Sequence, residues 1–239
     1  AIIGKGYSGG KNVDASLVRI DDRFGQSVAL NASGDRLAVG MENHAGFSGA
    51  QGGSGAVLLY SFSDANFSGG NLESVIGDGY SGGKNFDTSP YAVGSGLLLG
   101  SRVALNAAGD RLAVAATGDN GNGGVLPFSG AAYLFSFSDT SFSNPVLEGR
   151  IGVGYSGGKN IDMTGRLVED DEFGLVSLNA AGDRLAVGSW SGGGIGVHLF
   201  SFSDGNFSGG QWQGVIGPGV SGSGMNVATL QTGDFFGYA

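Results

Sequence analysis

The chain has 239 residues, 50 of them Gly and only 14% charged, while Val, Leu, Ile and Phe stay plentiful; that mixture predicts a turn-rich, all-β protein and excludes collagen and disorder. Lys and Arg number 12 against 21 Asp and Glu, a net charge of −9, so a nucleic-acid partner is not expected. Cys is absent, which removes disulfides, thiolate metal sites and thiol nucleophiles together.

In chain order, AIIGKGYSGG at the start matches SVIGDGYSGG from Ser74 and GRIGVGYSGG from Gly149. Residues 1–20 are therefore read as the last strand and connection of a preceding unit. A first unit, 21–83, divides into four apolar stretches: FGQSVALN from Phe24, RLAVGM from Arg36, GAVLLYSF from Gly55 and LESVIG from Leu72. Four such stretches separated by turn residues predict four antiparallel strands. Between the first two lies Ala32-Ser33-Gly34-Asp35, echoed by Ala107-Ala108-Gly109-Asp110 and Ala180-Ala181-Gly182-Asp183. Gly takes positive φ freely and Asp bonds to nearby backbone, so each is a tight hairpin.

The same markers recur. LNASGDRLAVG starts at Leu30, with copies at Leu105 and Leu178; SFSD starts at Ser61, Ser136 and Ser201; GYSGGKN places Tyr7, Tyr80 and Tyr155, with a degenerate GVSGSGMN carrying Val220. Such a repeat sets the fold. Units at 84–158 and 159–220 follow, then the start of another at 221–239. In the third strand Leu58, Tyr60 and Phe62 share one face and Val57 and Leu59 the other, as do Tyr133, Phe135, Phe137 against Ala132, Leu134, and His198, Phe200, Phe202 against Val197, Leu199. Two apolar faces must both be covered, as when sheets stack. The expected class is all-β: tandem four-stranded antiparallel blades of the β-propeller type, three full and partial ones at both ends. Loops at 42–54, 117–129 and 189–194 vary in length while the strand frame holds, placing them at one rim.

The segments DDRFGQSVALNASGDRLAVG from Asp21 and DEFGLVSLNAAGDRLAVGS from Asp171 resemble the FG-GAP repeat, the blade of integrin α-subunit propellers, and more closely its relatives in very large bacterial surface and secreted proteins such as filamentous-haemagglutinin-like adhesins. Weaker copies run from Leu97 and, as DFFGYA, from Asp234. The resemblance implies an extracellular or cell-surface location and a role in adhesion. Two departures stand out: Leu99-Gly100 replaces Phe-Gly in the second unit, and the Asp-rich loop that holds calcium in the family has shrunk to the tight turn. One Asp per turn cannot supply six to eight oxygens, so calcium is not expected at the family's position.

Candidate chemistry is sparse. Asp119, Asn120 and Asn122 in GDNGNGG are the one set of oxygens that could meet a cation, calcium included; a polar loop is the plainer reading. No metal or other cofactor is otherwise expected. Asp21, Asp22, Asp170, Asp171 and Glu172 precede the first strands and read as solvated strand entries. His44 falls in a loop and His198 takes a sheet position filled elsewhere by Leu58 and Tyr133; no Ser/His/Asp set has a spacing to argue from. SFSDGNFSGGQW faintly matches a sialidase box, but its sister copies lack the Gly and Trp, so it reads as a strand end and turn. In GYSGGKN the Gly pair is expected to make a sharp connection, with Lys11, Lys84 and Lys159 partnering Asp14, Asp87 and Asp162. No catalytic residues are expected and no ligand site is named. The expected function is a non-enzymatic structural or adhesive repeat module, part of a larger surface protein or a self-assembling filament. Its partners would be further blades of the same chain or identical subunits, in a ring or filament, and surface glycans or matrix. The alternative is a carbohydrate-binding or carbohydrate-active propeller. No apolar run approaches the ~20 residues of a spanning helix, so membrane insertion is not expected.

Overall fold

The computed structural model describes residues 1–49, 51–91, 96–191, 195–220, 222 and 224–229. The DFFGYA segment and part of the 189–194 loop lie outside the described residues, as does most of 221–239. Among the described residues there is no helix; strands and turns make up the chain. A short parallel pair, β1 (Ile3–Gly4) with β2 (Val13–Asp14), comes first. Three larger sheets follow in strict chain order: β3 (Val28–Leu30), β4 (Arg36–Met41), β5 (Ala56–Ser61), β6 (Asn71–Gly77) and β7 (Phe86–Asp87); then β8 (Leu99–Leu105), β9 (Arg111–Ala116), β10 (Ala131–Ser136), β11 (Val146–Gly152) and β12 (Ile161–Asp162); then β13 (Leu175–Leu178), β14 (Arg184–Ser189), β15 (Gly196–Ser201), β16 (Gln211–Gly217) and β17 (Met225–Asn226).

Each sheet therefore has five strands where the repeat predicts four. Four form an antiparallel meander and the fifth, from the GYSGGKN connection, pairs parallel with the fourth: Ile76 with Phe86, Ile151 with Ile161, Ile216 with Met225. The added strand is held by its own Asn and Asp. Asn85 Oδ1 accepts the Val75 amide and Asn160 Oδ1 the Arg150 amide; Asp87 and Asp162 accept the amides of Gly79 and Gly154 at 2.8 Å. Asn12 and Asp14 do the same for Ile2 and Gly6, so β1 and β2 copy the outer edge of a sheet. Two residues are too few for periodicity to reveal a strand.

The hairpins between first and second strands are locked from within. Gly34, Gly109 and Gly182 sit at φ 72, 81 and 77, the left-handed region the tight turn needs. Asn31 Oδ1 accepts the amides of Asp35 and Arg36, both at 3.1 Å, and its Nδ2 donates to Asp35 Oδ1 at 2.9 Å. Asn106 and Asn179 repeat the arrangement. The Asn of LNA(S/A)GDR is thus as much part of the turn as its Gly and Asp.

The sheets pack face against face, as the alternation of the third strands predicts. Ala38, Val57 and Leu59 of the first sheet meet Leu112, Tyr133, Phe135 and Phe137 of the second in one cluster. Ala113, Ala132 and Leu134, on the second sheet's other face, meet Leu185, Phe200 and Phe202 of the third. Leu58, Tyr60 and Phe62 pack against Ile3, Val13, Leu17 and Val18 of the opening segment. At the first junction the backbones nearly touch: a Cβ on Gly40 would lie 2.0 Å from the Gly100 carbonyl oxygen. Leu59 and Leu134 are fully buried, but Leu199 at the matching place in the third sheet is 36% exposed. Among the described residues no further sheet covers that outer face, and Leu199 lines a recess of about 530 Å3 there.

Candidate functional site

Polar groups grip each junction at the sheet edges. In β6 and β11 a register shift against the third strand leaves Glu73 and Glu148 as the extra, bulged residues. A bulge re-aims its side chain, and here the two carboxylates meet Lys84 and Lys159. These lysines pair with Glu73 and Glu148 rather than with Asp87 and Asp162, the partners read from the sequence, because those aspartates are already bound to Gly79 and Gly154. Burial alone would push the Glu73 carboxyl up; hydrogen bonds from Lys84, Ser61 and Asn71 outweigh it and hold the group down at about 2.

The same lysines reach across. Lys84 Nζ donates to the Ser141 carbonyl at 2.8 Å, Lys159 Nζ to that of Asn206 at 2.7 Å and Lys11 Nζ to that of Asn66 at 2.7 Å. Each acceptor lies in the turn after SFSD, which Asp64, Asp139 and Asp204 close by accepting two backbone amides apiece. SFSD is therefore a strand end and turn. The hairpin arginines grip those turns too: Arg36 Nε donates to Thr140 O and Arg111 Nε to Gly205 O. Amide bonds from Ala32 to Ala107 O and from Ala107 to Ala180 O join successive hairpins. Among the described residues Arg184, the third copy, bonds within its own sheet, and its side chain is 58% exposed against 14% and 16% for Arg36 and Arg111.

Inside each sheet's loop end lies a buried polar focus, and these differ from copy to copy. In the first, His44 is fully buried, with Nδ1 2.9 Å from Asp22 Oδ2 and Nε2 2.8 Å from the Tyr80 hydroxyl. In the second, Asp119 accepts the hydroxyls of Tyr133 at 2.8 Å and Tyr155 at 2.9 Å, with Arg150 4.0 Å above the Tyr155 ring. Burial raises the Asp119 carboxyl despite those bonds. In the third, His198 Nδ1 accepts Trp212 Nε1 at 3.2 Å, and burial together with the Arg166 charge lowers the imidazole to about 4.

Each cation candidate has a hydrogen-bonding partner within the fold. Asp119 is taken by the tyrosines and the Gly121 amide, Asn120 Oδ1 accepts the Phe128 amide, and Asn122 Nδ2 donates to the Gly154 carbonyl. Among the described residues no group of three His, Asp or Glu could hold a metal. Of the acidic strand entries, Asp21 and Asp170 are exposed, but Asp22 and Asp171 are buried, correcting the solvated reading. Each caps the turn before it: Asp22 accepts the Arg19 amide and Asp171 the Val168 amide, both at 2.7 Å.

One cavity draws on all three sheets. Where the first strands begin, a space of about 230 Å3 is lined by Arg23, Gln26 and Glu42 from the first sheet's region, by Leu98, Ser101, Arg102 and Thr117 from the second's, and by Glu172, Leu175 and Trp190 from the third's. Arg23, Leu98 and Glu172 occupy matching places before the strand, and all three have positive φ (56, 54 and 48). Repeated departure from ordinary backbone geometry requires a surrounding structure that fixes it. No sequence signal marks this space, because its lining residues differ at every copy. No model of a known protein family matches the chain, and no curated protein matches it.

Proposed function

We propose that the chain is a non-enzymatic structural and adhesive repeat module, extracellular or at a cell surface, whose sheets are FG-GAP-like propeller blades within a larger surface protein or a filament. The observation that carries this reading is the junction. Lysine, arginine and hairpin amide from one sheet grip the following one in the same way twice over, while Leu199 and Arg184 are exposed at the corresponding places of the third sheet. A unit that cannot bury its apolar side alone is completed by a neighbour. The grip would be weaker there, since Gln213 stands where Glu73 and Glu148 do and GVSGSGMN has no lysine.

In sedimentation velocity the 239-residue chain is expected to self-associate through this face, and Leu199→Asp to return it to monomer. A chain that stays monomeric at its highest soluble concentration would contradict the filament and leave the larger surface protein, whereas association that Leu199→Asp leaves untouched would contradict the use of this face.

A further inference from the structure

We propose that the cavity where the three first strands begin binds one small, uncharged polyhydroxyl ring, a monosaccharide unit. The inference deepens the adhesive part of the function above and rests on it, although the cavity itself belongs to the described chain alone.

Four observations converge. First, Ser101 lines the cavity and is 2% exposed, yet its Oγ has no hydrogen-bond partner among the described residues. A buried hydroxyl left unmatched carries a desolvation penalty of about 1–3 kcal/mol, so such a group beside a polar cavity points to a partner not yet bound. Second, the charges balance: Arg23 and Arg102 face Glu42 and Glu172. Neither a bare anion nor a bare cation is favoured by two of each, whereas hydroxyls, donors and acceptors at once, match both kinds of group. Third, Trp190 is part of the lining, and an aromatic ring suits the C–H face of a pyranose. Fourth, about 230 Å3 lies below the 300–1,000 Å3 typical of drug-sized pockets, which sets the occupant at one ring.

Arg23 and Glu42 keep hydrogen-bonding capacity beyond their contact with each other. Arg23 Nη1 holds Glu42 Oε1 at 2.6 Å, which occupies one carboxylate oxygen. Burial first, and then the Asp170 and Glu42 carboxylates, push the Glu172 carboxyl up. Its backbone is fixed by an amide bond to Phe128 O, and the neighbouring Phe173 amide bonds to Ser129 O, tying this wall to the second sheet. The site is assembled by the stacking of sheets and would vanish in any one of them alone.

The test is saturation-transfer NMR on the full 239-residue chain with D-glucose, D-galactose, D-mannose, L-fucose and N-acetylglucosamine, and with anionic N-acetylneuraminic acid as comparator. At least one neutral sugar is expected to bind more tightly than the anion. Trp190→Ala is expected to weaken it by about tenfold or more, the loss of one aromatic contact and its buried area, and Ser101→Ala by several-fold. Val146→Ala, at an exposed position at the start of β11 outside the cavity lining, should change nothing. Should Trp190→Ala fail to fold, Trp190→Phe, which keeps a ring, is expected to bind between the two.

A second arm offers the same sugar as a polymer-linked glycoside. Equal binding identifies a glycan terminus as the natural source, and binding of the free sugar alone identifies a free monosaccharide. Absence of transfer to every neutral sugar would overturn the proposal, as would affinity unaltered by the Trp190 and Ser101 variants. A chain that assembles through Leu199 yet binds no sugar would retire the cavity and leave the structural reading standing.

Discussion

Asp119→Ala is expected to lower the stability of the fold by about 3–5 kcal/mol, since two buried hydroxyls lose their acceptor at about 1–3 kcal/mol apiece. The residue is 3% exposed, and the Tyr133 and Tyr155 hydroxyls that point to it belong to side chains at 0% and 2%. Alanine leaves both hydroxyls without an acceptor and opens a void between the third strand of the second sheet and its connection. Asp119→Asn keeps an acceptor in place and should cost much less. The decisive comparison adds Tyr133→Phe and Tyr155→Phe to Asp119→Ala: removing the orphaned hydroxyls should restore part of the lost stability, since an apolar pair of like shape can be nearly neutral. Urea unfolding of the four proteins measures this. A triple variant no better than Asp119→Ala would mean that the network holds the loop in some other way.

His198 should make stability depend on pH in a defined window. Its imidazole is 3% exposed, packed edge-on to Phe173 at 5.4 Å and bonded to Trp212, with the Arg166 guanidinium 4.6 Å from the Trp212 ring. Burial and that cation lower it from 6.5 to about 4 in the folded chain. Between those values the unfolded chain takes up a proton that the folded chain refuses. Stability is therefore full above pH 6.5 and falls as pH drops toward 4, by about 3 kcal/mol over the window. His198→Leu, which installs the residue type of Leu58, is expected to flatten that slope at the cost of an unaccepted Trp212 N–H. Urea midpoints at pH 7 and pH 4.5 check it; a slope unchanged in His198→Leu would assign the dependence elsewhere.

Much of the architecture can be read directly from the residues. Leu58, Tyr60 and Phe62 against Val57 and Leu59 announce a strand covered on both faces, and the repeated LNA(S/A)GDR marks its hairpins. What could not be read depends on encounters across distance. Lys84 has Asp87 three residues away, yet it pairs with Glu73, because a parallel fifth strand and a bulge bring the two together. Asp22, His44 and Tyr80 look like unrelated loop residues until the fold stacks them in one hydrogen-bonded row. The three-sheet cavity escapes notice for the opposite reason: repeats advertise what they share, and Arg23, Leu98 and Glu172 share a place but no chemistry. Ser101, whose buried hydroxyl has no partner among the described residues, stands where the other copies have Gln26 and Leu175.

Each sheet depends on its neighbours for cover, and the proposed function follows from that dependence. Hydrogen exchange followed strand by strand, at a dilution where the chain is monomeric, tests it most directly. The expected order is slowest exchange in β9 and β10, enclosed on both faces, and faster exchange in the matching β14 and β15, whose outer face exposes Leu199. Equal protection in the two sheets, or greater protection in the third, would show that each folds on its own resources and would contradict the account.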